Sequence, residues 1–334
     1  MTIRPVLIAL VVLALPATAC SIAGQNTPAA AGRAGSATPA APRGVVTVAE
    51  AKAILDQWGK AEKNAARQGG ADWTATHAGL AEEISTADSQ LTKSLGEPLD
   101  WAEQPIVKPR FAIPGKVSGA PWFMAEFRRK GGSLWTQVIF KKTSAGWRVV
   151  AMSQTTSKSR PPAAVRDKNG LATVVAPDDG AGLIASPQQI AQAHTRLLST
   201  FGQDRTARRI FTANATPRRN AAVMEREREQ LSQGRWTAAI RSQPTPEVYA
   251  LRTSAGGALV WYGIRQQDVY VARPGANTTM NFTDRHSAAA SRGERFRRKA
   301  VRKIAAMYLA VVPKSPSLVR TPSEWATYLS ITGS

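Results

Sequence analysis

An uninterrupted apolar run at residues 6–15 is the first feature of the hydrophobic pattern. It follows a single charged side chain, Arg4, and precedes a stretch of small residues that ends at Cys20. This order is typical of a secretory signal peptide. Ten residues of helix rise about 15 Å, roughly half of the hydrocarbon core of a bilayer. The pattern therefore predicts a signal peptide at residues 1–19 and disfavours a permanent span.

Residues 20–44 hold the cysteine and a polar stretch rich in Ala, Gly, Pro, Ser and Thr, without an acidic residue. Such a composition lacks the apolar side chains needed for a core. We expect a disordered tether here.

Helical spacing and then strand alternation mark residues 45–154 as a first folded domain. A capping box is predicted at Thr47 and Glu50, and a second helical stretch at residues 73–91. After Pro98 the period changes to two, and turn residues separate the strand-like segments. Those segments lie at 111–113, 122–129, 134–141 and 147–152.

Residues 155–185 are rich in Pro, Lys, Asp and Gly and predict a connector. A second domain follows at 186–334, in which Ser186 caps a helix that has Pro187 at its first position. Residues 300–312 fit a strand and a helix about equally, and we favour a strand because Pro313 closes an apolar run. The other predicted strands lie at 236–241, 248–253, 259–264, 269–272 and 325–331.

The two halves share a strand, a Gly-Gly turn and a second strand with an early tryptophan. The turns are Gly131-Gly132 and Gly256-Gly257, and Trp135 and Trp261 follow them. This similarity predicts an internal repeat, although a generic hairpin would give the same pattern.

The segment Ala17-Thr18-Ala19-Cys20 resembles the lipobox of bacterial lipoproteins. The resemblance implies a diacylglyceryl group on Cys20, cleavage before it, and attachment to the extracytoplasmic face of the cell membrane. Ala17 departs from the usual leucine, so cleavage by an ordinary signal peptidase, with simple secretion, is the alternative. Cys20 is the only cysteine of the chain, which favours lipidation.

The order of elements in the two folded segments resembles tandem nuclear-transport-factor-2-like (cystatin-like) domains of uncharacterised actinobacterial lipoproteins. The resemblance implies an α+β fold, with each domain built from helices packed on a curved antiparallel sheet. It also implies a concavity of the kind that some relatives use for small molecules or catalysis.

The net charge of +21 comes from 44 basic and 23 acidic residues. It is concentrated in the second half, where 186–334 holds 23 basic and 9 acidic residues, against 14 and 11 in 45–155. An arginine-rich genome would also give this excess. The densest run predicts binding to anionic lipid or cell-wall polymer rather than nucleic acid in an exported protein. Its basic residues are Arg292, Arg295, Arg297, Arg298, Lys299, Arg302 and Lys303.

No catalytic motif occurs after Cys20, and neither a cofactor nor a metal site is predicted. The three histidines, His77, His194 and His286, have no ligand spacing. Asp100 and the loop that holds Asp284 and His286 are weak catalytic candidates.

The sequence therefore favours a non-enzymatic binding module anchored to the envelope, with an unknown protein partner. A small-molecule enzyme is the alternative, and a polyanion-binding envelope protein is a third. A buried carboxyl with a raised pKa beside a cavity would favour the enzyme.

Overall fold

Helices and antiparallel sheets alternate along the chain in the order expected of an α+β fold. A computed structural model describes residues 44–276 and 279–334, apart from the side chain of Trp101. The predicted signal peptide, Cys20 and nearly all of the predicted tether lie outside these residues. None of the described helices is long and apolar enough to cross a membrane.

The first half contains two helices, a short 3-10 helix at Asp100–Glu103, and a four-stranded antiparallel sheet in the order β1-β2-β3-β4. The capping box at Thr47 is present, since its side chain accepts from the backbone of Glu50 and the Glu50 carboxylate accepts in return. The elements are α1 (Val48–Arg67), α2 (Leu80–Ser94), β1 (Ile106–Ala112), β2 (Trp122–Arg129), β3 (Trp135–Thr143) and β4 (Gly146–Thr155).

The second half begins with the predicted capped helix at Ser186 and contains a second sheet of longer strands, in the order β10-β9-β6-β5. Its helices are α3 (Pro187–Ser199), α4 (Arg205–Arg208), α5 (Thr216–Gln233) and α6 (Arg285–Ala290). Its strands are β5 (Trp236–Arg252), β6 (Ala258–Ala272), β7 (Met280–Asn281), β8 (Arg295–Phe296), β9 (Lys299–Val312) and β10 (Arg320–Gly333).

The helix predicted at residues 73–91 is shorter than expected, because it begins only at Leu80. The preceding residues instead pair with β4: Ala78 donates to the Val149 carbonyl at 3.0 Å, and Val149 donates to the Thr76 carbonyl at 2.9 Å. Gly79 then turns the chain with a φ of 61°, a conformation that glycine adopts without strain.

In the structure, four of the strands predicted for the second half are joined into two long strands, β5 and β6. The segments at 236–241 and 248–253 are joined within β5, whose register shifts between Pro244 and Val248. A proline cannot donate to a ladder, but β5 lies at the edge of its sheet, where that loss is tolerated. The ambiguous segment at 300–312 is a strand, β9.

Proline interrupts two further edge strands in the same way. The register of β1 shifts on either side of Pro109, and that of β10 shifts on either side of Pro322. The fourth edge, β4, is partly covered by the bridge from His77 to Val149.

The two sheets pack face to face and share one core. Alternate residues of the second sheet, including Leu251, Trp261 and Leu309, lie in the same buried cluster as Trp122 and Met124 of the first. The Trp261 indole donates to Ser153 Oγ across the interface at 3.0 Å. The intervening residues of the second sheet pack against α3 and α5.

The predicted connector, residues 155–185, bonds to both halves. Ala172 donates to Ile113 at 2.8 Å, and Val175 donates to Ala250 at 3.0 Å. With the shared core, these bonds make the described residues one compact unit. The division into domains at 45–154 and 186–334 stays a prediction.

On the outer face of the first sheet lies α1, whose Trp58 ring is 5.8 Å from those of Phe127 and Phe140. By contrast, α2 packs beside β4 and also touches β9 and β10 of the second sheet. The helices therefore do not close completely over the sheet, and they leave a cavity between α1, α2 and β10.

Candidate functional site

The cavity beside α1 and α2 has a volume of about 440 Å³, within the range of small-molecule sites. Aromatic side chains form much of its wall, and a small set of polar side chains interrupts them. The ionisable side chains are Glu62, His77, Asp88, Arg129 and Glu324, and the aromatic ones include Trp58, Trp73 and Phe127.

Glu62 lies one helical turn after Trp58 on the buried stripe of α1 and is fully buried. One carboxylate oxygen, Oε2, accepts from Arg129 of β2, while Oε1 has no hydrogen-bond partner. Burial raises the pKa of Glu62 to about 7, and the charge and hydrogen bond of Arg129 only partly oppose this rise. Glu62 can therefore gain or lose a proton near neutral pH.

Trp58 presents a second unpartnered polar atom, because its buried indole Nε1 has no acceptor. An indole N–H is a donor only. A group that accepts a hydrogen bond would satisfy it.

His77 supplies the third unpartnered polar atom. Its Nδ1 lies 2.8 Å from Thr76 Oγ1, and its Nε2 is buried without a partner. Burial lowers the pKa of His77 to about 3, so the ring is neutral at pH 7. Its Nε2 can donate or accept according to the tautomer. The Trp73 and Trp58 rings flank the imidazole edge-on, with centroids 5.5 and 6.3 Å away.

Asp88 of α2 brings a further carboxyl to the cavity. It is half-buried, and within the described ranges no hydrogen bond or ion pair involves it. Burial raises its pKa, against a smaller lowering by the charge of His286.

Arg129, in contrast, is fully engaged. It pairs with Glu62 and donates to the carbonyls of Ala102 and Gln104 at 3.3 and 3.0 Å. Its positive charge is therefore balanced when Glu62 is ionised.

The second half holds its own buried histidine in a packed aromatic cluster. His194 bonds to the Tyr262 hydroxyl at 3.0 Å and packs against the Tyr308 ring, with centroids 4.3 Å apart. Its Nε2 lacks a partner, and the rings of Phe211, Tyr262 and Tyr308 pack around the imidazole.

Six of the seven basic residues singled out by the sequence are exposed, and none of the six makes an ion pair among the described residues. Arg302 differs from the other six because its side chain is largely buried and paired. Its side chain is only 11% exposed, and it bonds to Asp268 at 2.7 Å and to Glu227 at 3.0 Å. The exposed members are Arg292, Arg295, Arg297, Arg298, Lys299 and Lys303.

The two weak catalytic candidates from the sequence lie at the starts of short helices. Asp284 is the N-cap of α6 and accepts from the Ser287 backbone at 3.1 Å, while Asp100 begins the 3-10 helix. Among the described residues, no three His, Cys, Asp or Glu side chains are grouped as metal ligands.

Sequence reasoning missed Glu62, Trp58 and Asp88 as site residues. One signal was available for Glu62: it lies seven residues after Leu55 and four after Trp58, so it falls on the apolar stripe of α1. A carboxyl at a core position of an amphipathic helix predicts a buried partner or a function.

One comparison with known proteins covers about half of the chain. An uncharacterized lipoprotein of Streptomyces avermitilis is 27% identical over 186 residues, which cover 54% of this chain and 53% of that protein. The chain thus spans about half the length of the curated relative that it matches. No solved structure matches it.

A second comparison covers nearly all of the described structure. Residues 42–328 match the family described as Domain of unknown function (DUF8094). This match and the Streptomyces relative support an actinobacterial-type lipoprotein. The chain belongs to the DUF8094 family.

Proposed function

We propose that the protein is a lipoprotein anchored through Cys20 to the extracytoplasmic face of the cell membrane, and that it binds a small molecule in the cavity between α1, α2 and β10. The observation that carries the binding proposal is that three residues lining one cavity each have a buried polar atom without a partner in the protein: Trp58 Nε1, Glu62 Oε1 and His77 Nε2.

Each of these atoms lacks a hydrogen-bond partner within the protein. A buried polar group without a partner costs about 1–3 kcal/mol. Three at one place are unusual, because native structures pair the great majority of such groups. A ligand that satisfied them would bind to a site already formed, with little reordering of the protein.

The anchor proposal rests on the lipobox and on the lipoprotein name of the Streptomyces relative. The tandem nuclear-transport-factor-2-like arrangement is also a proposal. It is supported by helices packed against one face of each sheet and by the position of the cavity under α1.

Cavity filling tests the binding proposal. Leu134 is 39% exposed and lines the cavity, whereas Leu318 is 40% exposed and lies on a different part of the surface. We expect small molecules that raise the melting temperature of the wild-type protein in a thermal-shift screen to lose their effect in Leu134→Trp and to keep it in Leu318→Trp. Equal responses of the two variants would contradict a ligand site in this cavity.

A second candidate function is proton-transfer catalysis in the same cavity. The pKa of Glu62, raised to about 7, is the observation that favours it, because a general acid or base works best when its pKa is close to the working pH. Glu62→Gln would then abolish turnover of a bound substrate; a variant that still turned over the substrate would exclude Glu62 as the catalyst.

The six exposed basic residues support polyanion binding as an additional activity. We expect Arg297→Gln, Arg298→Gln and Lys299→Gln together to weaken salt-sensitive binding to phosphatidylglycerol vesicles. The matched control removes three exposed arginines of the α4 region, Arg205, Arg208 and Arg209. If both triple variants weakened vesicle binding equally, the attraction would depend on net charge alone and not on this group of basic residues.

A further inference from the structure

We propose that the ligand of the cavity is a small cation bearing nitrogen donors, an ammonium or an amidinium compound. This inference rests on the proposed binding function and concerns only the chemistry of what is bound. It starts from the balance of charge and of hydrogen-bonding groups around the cavity.

The ionisable groups of the wall leave a negative charge unbalanced. When Glu62 is ionised, it forms one ion pair with Arg129, and the two charges compensate each other. Asp88 also lines the cavity and makes no ion pair within the described ranges. The carboxylate of Glu324 accepts instead from Tyr308 at 3.0 Å and Asn220 at 2.8 Å. Those two donors are neutral, so among the described residues the carboxylates of both Asp88 and Glu324 lack a paired positive charge.

Most of the free hydrogen-bonding positions favour a donor, and the Trp58 indole N–H is the exception because it needs an acceptor. Oε1 of ionised Glu62 and the Asp88 carboxylate both accept hydrogen bonds, and charged N–H donors form the strongest bonds with carboxylates. His77 Nε2 adapts to either role. Aromatic faces nearby add attraction for a cation.

An anionic ligand fits less well. The guanidinium that would hold it, Arg129, is already bonded to Glu62 and two backbone carbonyls. The uncompensated carboxyl of Asp88 would repel it. The cavity thus prefers the opposite charge from the exterior of a chain whose net charge is +21.

Three compounds of nearly equal size separate the possibilities: benzamidine, a cation; benzamide, which is neutral; and benzoate, an anion. The readout is the Trp58 indole N–H signal in a ¹H–¹⁵N NMR spectrum of the full-length protein, assigned among the 9 tryptophans with Trp58→Phe. We expect benzamidine to shift this signal saturably and to bind roughly tenfold more tightly than benzamide, with no response to benzoate.

Variants of the two carboxyl residues test whether these side chains bind benzamidine. Asp88→Asn and Glu62→Gln should each weaken benzamidine binding about tenfold. The matched control is Glu83→Gln, since Glu83 is also on α2 but pairs with Arg265. Asp88 is half-buried, so its variant tests the proposal even if Glu62→Gln fails to fold.

The outcomes separate this inference from the proposed function. Tighter binding of benzoate, or equal binding of benzamidine and benzamide, would overturn the cationic class and leave the cavity as a ligand site. Binding of benzamidine that is unchanged in both variants would also overturn it. Absence of a Trp58 response to all three compounds in a well-dispersed spectrum would overturn both proposals.

Discussion

The carboxyl of Glu62 links the stability of the protein to pH in an unusual direction. Its pKa in the folded protein is about 7, above the ordinary value of 4.5. The folded state therefore holds this proton more tightly than the unfolded state does. The stability that Glu62 contributes is fully present below pH 4.5 and is lost as the pH rises to 7.

We expect Glu62→Gln to remove this dependence. Relative to the variant, the wild-type free energy of unfolding should fall by about 3 kcal/mol between pH 4.5 and pH 7.5, since one pKa unit corresponds to 1.36 kcal/mol. Urea unfolding of both proteins at several pH values measures the difference. Exposed Glu294→Gln is the control, and a difference that stayed constant with pH would contradict the burial of an ionisable Glu62.

The comparison with a variant is needed because the buried histidines act in the opposite direction. Burial lowers the pKa of His77 and of His194 to about 3 from 6.5. Their contribution is present above pH 6.5 and is lost as the pH falls toward 3. Since both proteins contain the two histidines, the contribution cancels in the difference.

At the scale of elements, two capping boxes begin the helices that open each half. Thr47 caps α1, and Ser186 caps α3. We expect Thr47→Ala and Ser186→Ala each to lower the free energy of unfolding by about 1 kcal/mol, because each leaves a backbone N–H of the first turn without its acceptor. Urea unfolding measures the loss.

Thr47→Asp is the control for the first cap, since aspartate accepts the same hydrogen bond. If alanine and aspartate at this position gave equal stability, the hydrogen bond to Glu50 would not stabilise α1.

The helices and hairpins of the first half could largely be predicted from local sequence, because capping residues, alternation and Gly-Gly turns act over few residues. The joined strands of the second half could not. Residues 242–247 contain two prolines, and only the position of β5 at a sheet edge makes them compatible with one strand. The cavity was also hidden, because Glu62 is paired with a side chain 67 positions away.

At the scale of the whole molecule, the proposed anchor at Cys20 would determine where the protein acts. We expect mass spectrometry of membrane-fraction protein to find a diacylglyceryl group on an N-terminal Cys20, and Cys20→Ser to release or misprocess the chain. Ser21→Ala is the control and should stay in the membrane. An unmodified Cys20 at the N-terminus of a soluble chain would contradict the anchor.

The prolines of the edge strands have a consequence for molecules crowded on one surface. Anchored chains diffuse in a plane and collide repeatedly in similar orientations, so an open strand edge would meet the edges of its neighbours. Pro109, Pro244 and Pro322 lack the N–H that such pairing needs, and the register shifts around them bend the edges. If the chain is anchored as proposed, these three edges would resist strand pairing between neighbouring molecules at high surface density.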